Sequence, residues 1–281
     1  MEIILAKTAG FCFGVNRAVK LTYELLDKGC KVATLGPLIH NPQVVADLEA
    51  KGALTCPDVD AVPDGYEVVI RSHGVPRSVY EKIGTRALAF HDATCPFVSK
   101  IHKIAEEAGK NGALLLVAGD ASHPEVQGIV GHTSGEVRVF ANLDELEAMR
   151  EILAQQKSIY VVAQTTFRVQ SWESCKAFLK KWCTNAKIFD TICNATWARQ
   201  QEAEDLSQKC DHMIVIGGHH SSNTQKLLQV AARHTDAVTI ETADELDREW
   251  LRGARVVGVT AGASTPSSII EEVLNCMSEE I

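Results

Sequence analysis

The sequence predicts an α/β protein of three small domains, each carrying a short parallel sheet. Three observations lead there. Short, almost continuously apolar runs alternate with runs of helical period, as in parallel strands covered on both faces and joined by crossover helices. A strand–Cys–helix context occurs three times, at Cys12 in IILAKTAGFCFGVNRAV, Cys95 in ALAFHDATCPFVSKIH and Cys193 in AKIFDTICNATWARQ, at near-equal spacing. ANLDELEAM (141–149) and ETADELDRE (241–249) echo each other after VRVF and AVTI. Similarity at so long a period implies repeated domains, not a solenoid, and places them at 1–95, 96–193 and 194–281.

In chain order, Met1 to Gly10 reads as a strand; it holds an early lysine and no apolar stretch of signal-peptide length. After Cys12 a helix follows from the spacing of Val15, Ala18, Val19, Leu25 and Leu26. KVATLG and EVVIRSHG are strands. After Cys95, Pro96 suits a first helical position, where its missing N–H costs nothing, and Phe97, Ile101, Ile104, Ala105 and Ala108 mark the apolar face. ALLLVAGD, VRVFA and SIYVVAQTT are strands. The helix after Cys193 is patterned more weakly, by Ala198, Ala203, Leu206 and Cys210. HMIVIGGHH, AVTIET and RVVGVTAGA complete the strand set.

Composition narrows the function. The chain has 281 residues, 46% hydrophobic and 23% charged, an ordinary balance for a globular protein. Its net charge of −8 argues against a general nucleic-acid binder. No apolar run approaches the ~18–20 residues that cross a bilayer, so no membrane partner is expected. Nine cysteines, an odd number in a long chain without a secretory leader, point to a reducing cytoplasm and not to a disulfide framework.

Ligands of open parallel sheets bind beyond the carboxyl ends of the strands. Cys12, Cys95 and Cys193 stand there; Cys30 and Cys210 open strands on the far face, Cys175 and Cys183 share one helix, Cys276 lies on another, and Cys56 is in a loop before Pro57. The last six read as buried or incidental thiols. Thiolates suit zinc or an iron–sulfur cluster, but a zinc site normally shows CxxC pairs and none is present. Three thiolates on a cubane would leave one iron open; three unrelated core cysteines are the bland alternative. The other strand-end groups are mostly neutral donors: His40, His73, His123, Thr165, Thr166, Ser221, Ser222, Asn223 and Ser264. Such groups with helix N-termini suit a phosphate-like anion, while no GxxxxGK[ST] or GxGxxG indicates a nucleotide. Glu125, in SHPE, is the one carboxylate among them and a candidate proton source.

The segments AGFCFGVNRA, GPLIHNPQVV, RSHGV, DATCPFVSKIH, SHPEVQG, QTT, TICNAT, SSNT and TAGAST, running from residue 9 to 266, resemble those of the 4-hydroxy-3-methylbut-2-enyl diphosphate reductases. The resemblance implies three α/β domains in a pseudo-threefold trefoil around a central [4Fe–4S] cluster held by Cys12, Cys95 and Cys193. The substrate hydroxyl would meet the fourth iron. The diphosphate would be held by His40, His73, His123, Thr166, Ser221, Ser222, Asn223 and Ser264. Glu125 would supply protons, Thr165 helping to relay them, in a two-electron reductive dehydroxylation giving isopentenyl and dimethylallyl diphosphate through an allyl intermediate. An external one-electron donor, ferredoxin or flavodoxin, is implied, since no flavin or nicotinamide fingerprint is present. Two rivals stand beside it. Another three-cysteine iron–sulfur enzyme such as a quinolinate synthase would not call for SSNT, TAGAST and SHPEV around a diphosphate. A non-enzymatic iron–sulfur sensor leaves Glu125 without a purpose.

Overall fold

The computed structural model describes residues 1–278. The elements run β1 (Glu2–Leu5), α1 (Phe13–Asp27), β2 (Val32–Leu35), α2 (Pro42–Ala50), β3 (Leu54–Cys56), β4 (Glu67–Ile70), α3 (Arg77–Thr85), β5 (Phe90–Asp92) and α4 (Pro96–Lys110). They continue through β6 (Leu114–Ala118), α5 (Pro124–Val130), β7 (Val137–Phe140), α6 (Leu143–Ala148), α7 (Arg150–Ala154), β8 (Ile159–Ala163), α8 (Val169–Trp182) and β9 (Ala186–Ile188). Then come α9 (Asn194–Ser207), β10 (His212–Ile216), α10 (Ser222–Ala231), β11 (Asp236–Ile240), α11 (Arg248–Leu251), β12 (Val256–Ala261) and α12 (Ser267–Ser278).

The strands form three four-stranded sheets, ordered β3-β2-β4-β5, β7-β6-β8-β9 and β11-β10-β12-β1. Every pairing is parallel. Central strands such as LLLVA and IYVVA are buried along their whole length, because helices cover both faces. On the second sheet one face packs Leu114, Leu116, Val161, Trp172 and Leu179, the other Leu115, Val117, Ile101 and Ile129.

The three sheets share one plan, and the third completes it with the chain's opening strand. Glu2 to Leu5 pair with Val256 to Val259, so the strand preceding Cys12 belongs to the sheet of β10–β12. The chain therefore divides otherwise than into consecutive thirds. Met1–Asn16, Ile39–Asp47 and the stretch from Asn194 onward make one compact unit; Arg17–Leu38 and Leu48–Cys193 make the other, which holds the first and second sheets.

Three local readings change. Cys56 closes β3 and is buried, where a loop was expected; its two exposed companions gave the strand no apolar signal. Phe97 is exposed, since Val98 and Ile101 take the inward positions of α4. The helix after Cys193 stops at Ser207, short of Cys210, and its inward face is largely polar: Thr196, Arg199, Gln200 and Ser207 are buried there beside Ala203. That face has a task. Arg199 Nη2 donates to the Gly10 carbonyl at 2.6 Å, and the Glu202 carboxylate accepts from Lys7 N, Thr8 N and Thr8 Oγ1 at 2.8, 2.9 and 2.6 Å. The helix holds the stretch between β1 and Cys12 by hydrogen bonds, which is why its apolar period is faint.

Leu116 lies fully buried in the middle of the second sheet. Leu116→Ala is expected to cost about 2–5 kcal/mol through lost burial and the cavity left behind, read as a lowered urea midpoint with unchanged slope.

Candidate functional site

Each sheet presents its chemistry at the same three places. The amide one residue past the first central strand closes the sheet corner: Gly36 N donates to Cys56 O at 2.7 Å, Gly119 N to Phe140 O at 2.9 Å and Gly217 N to Ile240 O at 2.8 Å. Five residues past those strands stand His40, His123 and Ser221. Past the second central strands, the carbonyls of Ser72, Thr165 and Ala263 each accept a cysteine amide: Cys95 N at 3.0 Å, Cys193 N at 3.1 Å and Cys12 N at 3.1 Å. The next residues are His73, Thr166 and Ser264. So the three cysteines are equivalent, and so are two sets of proposed anion-binding side chains.

Each cysteine immediately precedes a helix, α1, α4 or α9, and is a free thiol of intermediate burial. Cys95 caps α4 in extended conformation, with Pro96 at the first helical position. Of the remaining cysteines, Cys56, Cys175, Cys183 and Cys210 are buried; burial pushes their thiols up, that of Cys175 to about 11, and so disfavours the thiolate that a metal takes. Cys12, Cys95 and Cys193, at three equivalent helix heads, make the donor set that fits a soft metal cluster.

In the unit holding the first and second sheets, Glu125 is the central group. It lies in the first turn of α5, 1% exposed. Thr165 N donates to its Oε1 and Thr165 Oγ1 to its Oε2, both at 2.6 Å. Burial raises its pKa and outweighs these two hydrogen bonds, which favour the anion, leaving it at about 7. His123 caps the same helix: Glu125 N donates to His123 Nδ1 at 3.1 Å. That bond assigns Nδ1 as acceptor, so a neutral ring keeps its proton on Nε2. The His73 ring meets His123 edge-on, centroids 5.3 Å apart. Gln164 Nε2 donates to Thr166 Oγ1 at 3.0 Å, fixing that hydroxyl.

His102, which carried no signal in the sequence, lies buried beneath the His73 loop and stacks on His132 with centroids 4.0 Å apart. Burial first, and the neighbouring His132 second, hold its pKa down at about 3, so the ring is neutral. Gly74 makes this contact possible. Its φ is +70°, and a Cβ there would lie 2.5 Å from His102 Cε1.

In the other unit, Ser221 caps α10, its hydroxyl accepting from Thr224 N at 3.4 Å. No acidic side chain occupies the first turn of α10 or α12, leaving the positive ends of their dipoles for an anion. Asn223 and Ser264 are 5% and 8% exposed, and Asn223 Nδ2 is buried without a hydrogen-bond partner. A buried amide donor left unmet fits a ligand oxygen. His40 belongs to this unit, its carbonyl seated against Gly218, where a Cβ would approach to 2.7 Å. Asn41 Oδ1 accepts from Val44 N at 2.9 Å and caps the following helix.

The sequence profile of the LytB family, described as LytB protein, matches residues 3–278. A 4-hydroxy-3-methylbut-2-enyl diphosphate reductase of Geotalea uraniireducens is 46% identical over 278 residues, covering 98% of this chain and 96% of the relative. One of Clostridioides difficile is 43% identical over 275 residues, with 98% of each covered. A solved E-1-hydroxy-2-methyl-but-2-enyl-4-diphosphate reductase of Plasmodium falciparum superposes with a TM-score of 0.92 at 28% identity, covering 99% of this chain and 88% of that one.

Two outcomes test the site's physics. Gly74→Ala is expected to destabilise the protein by more than the ~1 kcal/mol typical of a strained positive φ, because the methyl also strikes His102; denaturant titration reads it. Glu125, with a folded pKa near 7 against an ordinary 4.5, favours the folded state fully below the ordinary value and loses that contribution as pH rises through 7. Glu125→Gln should therefore show a flatter stability profile than the parent between pH 5 and 8.

Proposed function

The chain belongs to the LytB family, and from that premise we propose how its residues serve the reduction of 4-hydroxy-3-methylbut-2-enyl diphosphate, the activity named for its relatives. The enzyme is an oxidoreductase. It replaces the substrate's allylic hydroxyl by hydrogen, consuming two electrons and two protons and releasing water.

Cys12, Cys95 and Cys193 are the ligands of a [4Fe–4S] cluster, supported by their equivalent placement at the heads of three helices. When bound, a cluster with one iron free of protein ligands supplies electrons and a Lewis acid for the leaving hydroxyl. Neutral donors hold the diphosphate: His40, His73, His123, Thr166, Ser221, Ser222, Asn223 and Ser264. The Asn223 amide, a buried donor without a hydrogen-bond partner, supports this role.

The observation that carries the reading is a chain of contacts at Thr165. Its carbonyl takes the Cys193 amide, while its amide and hydroxyl bind the Glu125 carboxyl. One residue thus joins a cluster ligand to a carboxyl poised near pH 7. Once the Thr165 hydroxyl turns its proton from Glu125 Oε2 to the departing oxygen, protonated Glu125 gives its own proton to Thr165 Oγ1 as the hydroxyl passes its proton on, turning a poor leaving group into water. Burial of the carboxyl keeps bulk water from short-circuiting the transfer. Electrons arrive from a separate one-electron donor, a ferredoxin or flavodoxin. The cysteine usage suits a reducing cytoplasm, and no described helix is long and apolar enough to cross a membrane.

Anaerobic assay of substrate consumption with a reduced viologen dye tests the function. Glu125→Gln keeps size and hydrogen bonding but removes the transferable proton, so turnover should fall about 10²-fold or more with KM little changed; near-normal turnover would remove Glu125 from the mechanism. Cys95→Ala should lose iron and sulfide on anaerobic purification, whereas Cys210→Ala retains both; a full cluster in Cys95→Ala refutes the ligand assignment.

A further inference from the structure

Among the described residues Arg71 has no counter-charge. It is the first residue past β4, and its Nε is buried without a hydrogen-bond partner. Among the described residues no carboxylate, hydroxyl or carbonyl is bonded to its guanidinium, and burial alone lowers its pKa, with no acidic neighbour opposing. Gly36, at φ +72°, lies against it: a Cβ there would be 3.0 Å from Arg71 Nη1. A charged group withdrawn from water is costly until it is paired, and guanidinium matches phosphate and carboxylate oxygens in a two-pronged fashion.

The same guanidinium lines a cavity of about 620 Å³, within the ~300–1,000 Å³ usual for small-molecule sites. Leu35, Pro57, Val59, Val75, Pro76 and Val79 give it apolar walls. Its other charged groups are engaged elsewhere. Asp58 Oδ1 accepts from Ala61 N at 3.1 Å, Glu81 pairs with Arg77 at 3.5 Å, and Lys82 pairs with Asp60. Arg71 is left as the uncompensated charge at an apolar hollow.

We propose that this cavity is a second binding site, for a small amphipathic anion whose phosphate or carboxylate head pairs with Arg71 and whose hydrocarbon tail lies along Pro57, Pro76 and Val79. The site does not depend on the reductase reading. It does share a loop with the chemistry: the residue after Arg71 is Ser72, whose carbonyl takes the Cys95 amide, and the next is His73.

Calorimetric titration tests this, with two ten-carbon probes that separate the head groups, geranyl monophosphate and decanoate. The intact chain and Asn223→Ala, which weakens the substrate's anion site, should bind at least one probe alike. Arg71→Leu removes the charge, and Ser78→Trp, an exposed rim position, blocks the cavity without entering the core. Each should weaken binding at least about tenfold. Should Arg71→Leu fail to fold, as far-UV circular dichroism would report, Ser78→Trp decides alone. Absence of binding by both probes up to about millimolar, or binding lost in Asn223→Ala and kept in Ser78→Trp, overturns the proposal.

Discussion

Three backbone hydrogen bonds of about the same length organise this protein: a cysteine amide given to the carbonyl two residues beyond a central strand, at 3.0 Å for Cys95 and 3.1 Å for Cys12 and Cys193. Each fixes a thiol at the head of a helix and sets the direction of the chain on both sides of the bond. On the acceptor side the next residue is His73, Thr166 or Ser264, so each thiol and its polar neighbour are spaced by the same short piece of backbone. Backbone geometry is indifferent to side-chain identity, which lets the three copies carry His, Thr and Ser at one position without disturbing the thiols.

The repetition is broken once, by an acid. The residue two past His123 is Glu125, and the residues in the equivalent places are Pro42 and Asn223. Only one of three equivalent sites thus holds a titratable acid. Its surroundings set two effects against each other: withdrawal from water, which favours the neutral acid, and two 2.6 Å hydrogen bonds from Thr165, which favour the anion. Burial wins, but not by far, and the balance leaves a carboxyl that both holds and releases a proton near neutrality.

Much of this was legible in the sequence. The central strands declared themselves as short continuous apolar runs, and the strand ends collected the polar groups that the sheet rule says to inspect. What stayed hidden depends on partners remote in sequence. Nothing in EIIL shows that it pairs with VVGV at 256–259, because a parallel edge strand carries no mark of its neighbour. The three-residue β3 is too short and too exposed to have a period. The inward face of α9 is polar for the sake of residues 7–10, so hydrophobic patterning under-reads it. His102 looked incidental since its role is to fill the space that Gly74 leaves open, a relation of shape and not of motif.

The borrowed edge strand has a bearing on how the chain is made. During synthesis β1 is finished first, yet its partner β12 is nearly the last strand to appear. The first and second sheets draw all their strands from contiguous stretches and can close as they emerge, whereas the third waits with one edge open. Cys12, whose amide is held by Ala263, reaches its final setting only at the end. The cell therefore handles a nascent chain in which two of the three equivalent thiols are in place well before the third.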